Sequence, residues 1–342
     1  MSAVGHASGI EIPRASDSGL KMVLWVIRMG PPLILLLLCL LLTLLTPFFL
    51  TGDNLTNLLV QVAPLAAIAI GQLFVILVGG IDLSVGSLIA LSTVTGSLAY
   101  QHIGGGFVVL VAMLLTGLLA GLINALLYVK GRMPHSFIPT LAMLNAASGL
   151  ALLLSDGRPT PGMPGIVTTI GGGDIAGIPV AIIVVAALAG FAGMLARKLR
   201  WGRWIYLVGG DREAARRLGI PVDRVVMSVF LISGFCAGVA GVITAGRTNA
   251  GFPTAGQLQE LASISAVIIG GASFWGGRGT LTGAVVGAFI FGVINNGLNL
   301  LNVSVYWQLI AIGVIVVVAV ELDVLRRRLE ERFRTLQAHG SR

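Results

Sequence analysis

The chain has 342 residues, of which 56% are hydrophobic and only 11% are charged. Soluble globular proteins carry about 25% charged residues, so this chain cannot cover a water-facing surface of ordinary size. The composition therefore excludes a soluble enzyme, a secreted disulfide-rich domain and a disordered protein, and it favours a polytopic membrane protein. The net charge of +8 does not indicate nucleic-acid binding, because too little polar surface exists to carry a basic face.

Runs without a charged residue predict an all-α bundle of about ten membrane-spanning helices. The run over 83–129 is too long for one crossing, and His102 with the glycines at 104–106 divides it into two spans. In chain order the predicted spans are 29–52, 54–81, the two parts of 83–129, 135–155, 178–196, 225–246, 262–275, 280–298 and 305–320. The eighth is short, which leaves open whether it spans fully or forms a re-entrant or broken helix.

Basic residues predict the orientation of these spans, because cytoplasmic loops are enriched in Lys and Arg. With both termini in the cytoplasm, each of the 22 Lys and Arg residues except Arg158 and Arg247 falls on the cytoplasmic side. The predicted parts are a cytoplasmic tail over 1–28, a transmembrane domain over 29–322 that includes the cytoplasmic loop 197–224, and a basic cytoplasmic tail over 323–342.

Glycines four residues apart recur inside the spans and predict close helix packing, since small residues let helix backbones approach one another in lipid. The pairs are Gly117 and Gly121, Gly234 and Gly238, and Gly283 and Gly287. We expect all three pairs to lie at contacts between helices.

Several kinds of chemistry have no matching motif in this sequence. None of Lys21, Lys130 and Lys198 follows a glycine-rich loop, so the chain lacks a Walker A sequence for ATP. The histidines are scattered, and no spacing of His or Cys predicts a metal site or a cofactor. No charged residue lies at the middle of a predicted span, which counts against ion-coupled transport, although backbone carbonyls can also bind sodium.

Amide side chains are the main polar groups inside the predicted spans. They are Gln61, Gln72, Asn124, Asn145, Asn295 and Asn296. An amide in hydrocarbon needs a partner, and a hydrogen bond between helices is one explanation for each of them. The alternative is a path for a hydroxyl-rich solute, because an amide both donates and accepts. We consider Asn124, Asn295 and Asn296 as candidates for lining such a path.

The first loop with a recognisable pattern is GGIDLSVGS at 79–87. Asp82 and Ser84 are able to cap the start of the third span, because their side-chain oxygens accept from free backbone N–H groups. The carboxylate of Asp82, at a predicted cytoplasmic edge of the membrane, is also able to contact a partner.

The second loop contains GGDREAARRLGI at 209–220, which predicts a short helix. Asp211 is a suitable N-cap, Glu213 favours the helix start, and Gly219 favours its end. A capped and charged helix between membrane spans has no packing role inside the bilayer. It indicates either a docking element for a cytoplasmic protein or a solvated connector.

The third loop, IIGGASFWGGRGTLTG at 268–283, repeats the Gly-Gly pattern of the first loop. The pair Gly79-Gly80 corresponds to Gly270-Gly271 at an offset of 191 residues. The first four and the last four spans are therefore candidates for related halves, and paired repeats with irregular helices are typical of transporters.

The sequence resembles the membrane-spanning permease subunits of bacterial ABC importers for sugars, a ribose-type and branched-chain-permease-like family. The resemblance rests on GGIDLSVGSLIALS at 79–92, GR-x-IY-x-x-GG-x-x-x-AAR-x-x-GI at 202–220, IIGG-x-S-x-x-GGRGT at 268–280 and NNGLNLLNVSVYWQ at 295–308. One position and one segment depart from the family pattern: Asp211 stands where an asparagine is usual, and PHSFIPTLA at 134–142 replaces a sequence like PPFIVTLG.

The resemblance implies a bacterial inner-membrane permease that moves a monosaccharide or related polyol and is not itself an enzyme. Two copies would form the path, cytoplasmic ATPase subunits would hydrolyse ATP, and a periplasmic solute-binding protein would deliver the solute. The coupling contacts to the ATPase would come from Asp211, Glu213, Ala214, Ala215 and Gly219, supported by Asp82 and Arg278.

Three alternatives remain open on the sequence alone. An ion-coupled secondary transporter of a small polar solute would act without an ATPase. An intramembrane enzyme for lipid-linked sugars would need a clustered acid, base or metal site, and the sequence shows none. A scaffold would assemble a complex without moving any solute.

Overall fold

The computed structural model describes residues 17–340, with side chains described for 30–321, 323 and 324. Residues 1–16 of the predicted N-terminal tail lie outside this part of the chain. The helices are α1 Asp17–Leu45, α2 Gly52–Leu77, α3 Val85–His102, α4 Gly106–Ala125, α5 Phe137–Leu154, α6 Gly165–Gly172, α7 Val180–Lys198, α8 Arg200–Gly210, α9 Arg212–Arg217, α10 Val222–Thr248, α11 Gln259–Ile269, α12 Leu281–Leu300 and α13 Val305–Gly340. The predicted all-α class is confirmed.

Short strands and one π-helical turn complete the fold. The π-helical turn Leu126–Lys130 continues α4. Strand β1 (Thr160–Pro161) pairs with β4 (Ala250–Gly251), antiparallel, and β2 (Asp174–Ile175) pairs in the same way with β3 (Ile178–Pro179). We call the end of the bundle that carries these strands the hairpin end, and the end that carries α8 and α9 the α9 end.

The helices lie at the positions of the predicted spans. Within the described part of the chain, six of them are long and apolar enough to cross a membrane: α2, α4 with its π-helical turn, α5, α7, α10 and α12. Shorter apolar helices cover the first, eighth and tenth predicted spans, and α3 covers the third. Helix α11 has 11 residues, or about 16 Å, and cannot cross about 30 Å of hydrocarbon. The total of ten crossings stays a prediction.

The two predicted tail boundaries fall inside helices. Helix α1 begins before residue 29, and α13 continues past residue 322. Side chains define other boundaries: Thr51 accepts a hydrogen bond from the N–H of Asn54 at the start of α2, and Thr280 accepts one from the N–H of Gly283 at the start of α12. Capping of this kind satisfies N–H groups that the helix itself leaves free.

The predicted glycine pairs lie at helix contacts, as expected. Gly117 and Gly121 of α4 face Gly234 of α10 so closely that a Cβ at Gly117 would clash with the carbonyl oxygen of Gly234. On the other side of the bundle, Gly283 and Gly287 of α12 press against the backbone of α11 in the same way. Helix α10 also packs against α2, α3 and α6, which places it at the centre of the bundle, and the glycine contacts fix α4 against it.

Helices α2 and α11 end in the same kind of turn at the α9 end. Each helix is followed by a glycine with positive φ, Gly79 at 72° and Gly271 at 93°. The paired hydrogen bonds are Gly79 N to Ile76 O and Gly80 N to Val75 O in the first turn, and Gly271 N to Ile268 O and Ala272 N to Val267 O in the second. The turns therefore correspond at an offset of 192 residues, one more than the Gly-Gly pattern suggests.

Candidate functional site

Helix α9 has the N-terminal cap that the sequence predicts. The carboxylate of Asp211 accepts hydrogen bonds from the N–H groups of Glu213 and Ala214, at 2.9 and 3.0 Å. The backbone of Asp211 is extended, with φ of −158° and ψ of 109°, as an N-cap requires. The role of Asp211 as a cap is confirmed, and it holds the start of α9 in place.

The other end of α9 is closed by a Schellman motif. The N–H of Ile220 donates to the carbonyl of Ala215 at 3.1 Å, and the N–H of Gly219 donates to that of Arg216 at 2.9 Å. Gly219 adopts φ of 76°, a conformation that glycine reaches without steric strain. Ala215 and Ile220 are buried beneath this turn, so α9 is fixed at both ends.

The outer face of α9 is exposed. Asp211, Glu213, Ala214 and Gly219 all lie on it, while Ala215 points inward. The ion pairs of Glu213 with Arg216 and Arg217 measure 3.7 Å each and are exposed to solvent, so they contribute little stability. Leu218, which the sequence analysis did not single out, is 72% exposed at the end of the helix. The face combines charged groups with one apolar residue and is suited to contact another protein.

Three turns meet at the α9 end, in what we call the turn junction (residues 77–80, 206–212 and 275–279). The N–H of Gly277 donates to the carbonyl of Leu77 at 2.9 Å. Gly209 packs so tightly there that a Cβ would clash with the same Leu77 carbonyl.

The hydroxyl of Tyr206 adds a side-chain contact to the junction and donates to the carbonyl of Gly279 at 3.0 Å. Burial raises the pKa of Tyr206, although nearby Arg197 lowers it, so this donor stays protonated at neutral pH.

Arg212 connects α9 to this junction and is the main site residue that sequence reasoning missed. Its Nη1 donates to the hydroxyl of Tyr128 at 2.8 Å, and its Nη2 donates to the carbonyl of Val78 at 3.0 Å. The guanidinium also lies 5.6 Å from the centroid of the Tyr128 ring. One signal was present: a cation in the first turn of a helix opposes the helix dipole and needs another reason to be there.

Asp82 lies inside the bundle instead of at its surface. Its Oδ1 accepts from the N–H and the hydroxyl of Ser84, at 2.9 and 2.6 Å, and its Oδ2 accepts from the hydroxyl of Ser233 at 2.8 Å. The predicted capping by Ser84 is wrong, because its hydroxyl is directed to Asp82 and makes no cap hydrogen bond. With Asp82 fully buried, an effect on a partner has to pass through the neighbouring turn.

Two amides complete a buried network around Asp82. The Nδ2 of Asn124 donates to the hydroxyl of Ser84 at 2.9 Å. The Gln72 amide, in the orientation that satisfies both of its atoms, bonds to the backbone C=O and N–H of Asp82. The Oδ1 of Asn124 is buried and has no hydrogen-bond partner among the described residues. The network joins α2, α3, α4 and α10. It holds the Asp82 carboxylate inside the bundle, although Asp82 belongs to a loop and not to the middle of a predicted span.

The three path candidates are not brought together. Asn124 belongs to the network around Asp82, whereas Asn296 exchanges two hydrogen bonds with Asn54 near the start of α2, at 3.1 and 2.8 Å. Asn295 is half-buried on α12. For Asn296 the observed contact is therefore the hydrogen bond between helices that the sequence left as one of two explanations.

Arg278 lies on the exposed side of the turn junction. Its carbonyl accepts from the N–H of Ser273 at 2.9 Å, which holds the loop before α12.

A groove of about 410 Å³ lies between the π-helical turn and α9. It is lined by Tyr128, Val129, Arg132, Met133, Pro134, Arg212, Arg216, Val222, Asp223 and Val226. The groove adds basic and apolar surface next to α9.

Comparison with known proteins places this arrangement in a family. A family profile described as branched-chain amino acid transport system / permease component matches residues 54–320. The ribose import permease protein of Bacillus subtilis is 41% identical over 302 residues, covering 86% of this chain and 92% of the relative. That of Haemophilus influenzae is 38% identical over 296 residues, covering 84% and 90%. The D-allose transport system permease protein of Escherichia coli is 39% identical over 279 residues, covering 81% and 85%.

The apolar helices and these matches define a multi-pass membrane permease. The chain belongs to the family of branched-chain amino acid transport system / permease components, and the resemblance seen in the sequence motifs is confirmed. No solved structure matches the chain. The match includes both Gly-Gly turns and α9, so the turn junction lies within the part of the chain that the family shares.

Proposed function

We propose that the chain is the membrane-spanning subunit of an ATP-binding-cassette importer for a monosaccharide or related polyol. In this proposal two copies form the path, ATPase subunits bind at the α9 end, and a solute-binding protein docks at the hairpin end. The relatives named for ribose and D-allose support the solute class. The ATP is hydrolysed by the separate subunits, in keeping with a chain that has no Walker A sequence.

The observation that carries the proposal is the construction of α9. An exposed helix is capped at both ends and anchored through Arg212 to the carbonyl of Val78, the residue that follows α2. A push or rotation applied to its outer face therefore reaches the turn junction, where α2 ends and the loop between α11 and α12 lies. Because packed helices shift between discrete arrangements, such a displacement is able to switch the bundle between inward-open and outward-open states.

The orientation in the proposal follows from charge. Basic residues cluster at the α9 end, in α8, in α9, at the end of α7 and at the start of α10. Cytoplasmic segments of membrane proteins are enriched in Lys and Arg, so the α9 end faces the cytoplasm of a bacterial inner membrane. Both termini then lie in the cytoplasm, and the ATPase meets Asp211, Glu213, Ala214 and Gly219 directly.

Reversal of charge on α9 tests the coupling. We expect Asp211→Arg with Glu213→Arg to abolish uptake of D-ribose by whole cells and to reduce copurification of the ATPase, because cations replace both carboxylates of the docking face. The control for ATPase copurification is Asp53→Arg, a charge reversal at an exposed residue at the opposite end of α2, which should leave copurification unchanged. Wild-type uptake with normal ATPase recruitment in the α9 variant would remove the coupling role.

One observation favours a second candidate, the ion-coupled transporter. The carboxylates of Asp82 and Glu260 are both buried inside the bundle, where transporters place groups that bind ions or protons. Purified chain in proteoliposomes separates the two functions. Accumulation of D-ribose driven by a sodium or proton gradient without ATPase would favour this candidate, and uptake that requires ATPase and ATP would favour the importer.

A further inference from the structure

The chain between α10 and α11 enters the bundle without forming a helix. The N–H of Phe252 donates to the hydroxyl of Thr93 on α3 at 3.0 Å. Further along, Gly256 packs against α3 so closely that a Cβ would clash with the carbonyl of Gly86. Thr93 lies nine positions before the end of α3 at His102, which places Phe252 about 14 Å below that end. We call residues 252–259, which end at the first residue of α11, the entry segment.

Polar side chains of the entry segment are exposed at this depth. Thr254 and Gln257 are exposed, and Phe252 is 38% exposed beside them. The Oε1 of Gln259 is shielded and has no hydrogen-bond partner among the described residues. Leu258 adopts φ of 64°, a conformation unusual for a residue other than glycine. The segment therefore presents hydroxyl and amide groups outward from an irregular backbone.

The opposite pattern holds on the outer side of α4 at the same depth. The hydroxyl of Ser92 donates to the carbonyl of Met113 at 3.0 Å, which aligns this part of α4 with the level of Thr93 on α3. Here the exposed residues are apolar, among them Leu115 and Leu119. Such a surface suits contact with lipid, whereas irregular backbone at membrane depth occurs only where it is buried in protein or lines a water-filled cavity.

We propose that the entry segment lines the solute path, and that Phe252, Thr254 and Gln257 contact a neutral, hydroxyl-rich solute. The amide of Gln257 and the hydroxyl of Thr254 both donate and accept, which matches sugar hydroxyls. The ring of Phe252 offers an apolar face for the C–H face of a sugar. This inference rests on the proposed transport function and assigns to that function residues that the sequence motifs did not indicate.

Thiol labelling tests the lining role. The starting chain is transport-competent, with Cys39 and Cys236 replaced by alanine. Three single variants of it are each assembled with the ATPase: Thr254→Cys, Gln257→Cys and Leu115→Cys. A thiol reacts as its thiolate, which forms in water and not in lipid. We expect a hydrophilic methanethiosulfonate to label Thr254→Cys and Gln257→Cys at least about tenfold faster than Leu115→Cys. Equal rates at all three positions would overturn the lining role.

Solute competition tests the contact with sugar. We expect D-ribose to slow labelling of Gln257→Cys, and Gln257→Ala to raise the half-saturating D-ribose concentration for uptake about threefold to tenfold, the loss of one net hydrogen bond. Fast labelling without protection by ribose, and with unchanged half-saturation, would overturn the contact. A wild-type complex that takes up no monosaccharide or polyol would instead contradict the proposed function, whereas the labelling rates test the lining role without any uptake.

Discussion

Arg212 shows how one side chain connects a surface helix to the interior. Its guanidinium donates to Tyr128 and to the carbonyl of Val78, the residue that follows α2. Hydrogen bonds from a charged donor contribute about 1.5–3 kcal/mol each. The other charged residues of α9 make only exposed ion pairs. A mechanical connection from α9 to α2 therefore depends mainly on Arg212.

We predict that Arg212→Ala lowers ribose uptake at least fivefold and destabilises the chain by about 2 kcal/mol, because the anchor to Val78 and Tyr128 is lost. The measurements are uptake by whole cells and thermal unfolding in detergent. Arg217→Ala, a side chain 79% exposed, serves as the control and should change stability by less than about 0.5 kcal/mol. Indistinguishable behaviour of the two variants would contradict the anchoring role.

Asp82 lies in a loop and yet is buried inside the bundle. The loop over 79–84 folds back into the bundle, and Ser84 and Ser233 supply donors to the carboxylate. A buried carboxylate without donors would be expensive, so these hydroxyls are what make the burial tolerable. The residue holds α3 and α10 together at the level of the network.

At the scale of elements, α10 organises the bundle through small residues. Gly234 meets Gly117 of α4 on one side, and Gly246 meets the backbone of α6 on another. Helices in lipid associate by close packing because the hydrophobic effect between them is weak there. Such contacts leave no room for even one methyl group, so the helix positions are narrowly defined.

We predict that Gly117→Ala destabilises the protein by about 1–3 kcal/mol, because the new methyl group clashes with the Gly234 carbonyl and forces α4 away from α10. Gly149→Ala is the matched control: it also lies within a helix, α5, and nothing lies within 4 Å of its added Cβ. Its effect should be neutral or slightly stabilising. Thermal unfolding of both variants in detergent checks the prediction, and equal stabilities would refute it.

At the scale of the whole molecule, two non-helical segments of the chain lie beside α3: the stretch after α2 and the entry segment. The chain turns back after α2 at Gly79 and reaches α3 through a non-helical stretch, while the entry segment leads from α10 to the short helix α11. Helix α2 ends at the turn junction beneath α9, and the loop that follows α11 passes through it. In the proposed mechanism a movement of α9 acts on the loop at one end of α11, and the entry segment lies at the other end of that helix.

We predict opposite accessibilities for the two ends of the molecule. Arg217→Cys at the α9 end should react with an impermeant thiol reagent only in inside-out vesicles, and Asp174→Cys at the hairpin end only in intact cells, because basic segments stay in the cytoplasm. The cysteine-free chain provides the background control. Labelling of Arg217→Cys in intact cells would reverse the proposed orientation and remove the docking role of α9.

The sequence by itself determined the class of the protein, the positions of its apolar helices and the ends of α9. These properties are local or compositional: a lack of charge predicts burial in lipid, and Asp211 and Gly219 act on the backbone within a few residues. The close packing of Gly117 and Gly121 was predictable for the same reason, because their four-residue spacing on one helix indicates a helix contact.

Only the tertiary structure decided which distant groups meet. Arg212 reaches Val78, Asp82 reaches Ser233, and Phe252 lies against Thr93, in each case across more than 130 positions of the chain. Hydropathy records whether a segment is apolar, and it says nothing of the depth at which a polar loop folds back. The burial of Asp82 and the exposure of the entry segment depend on packing among helices, which no local pattern encodes.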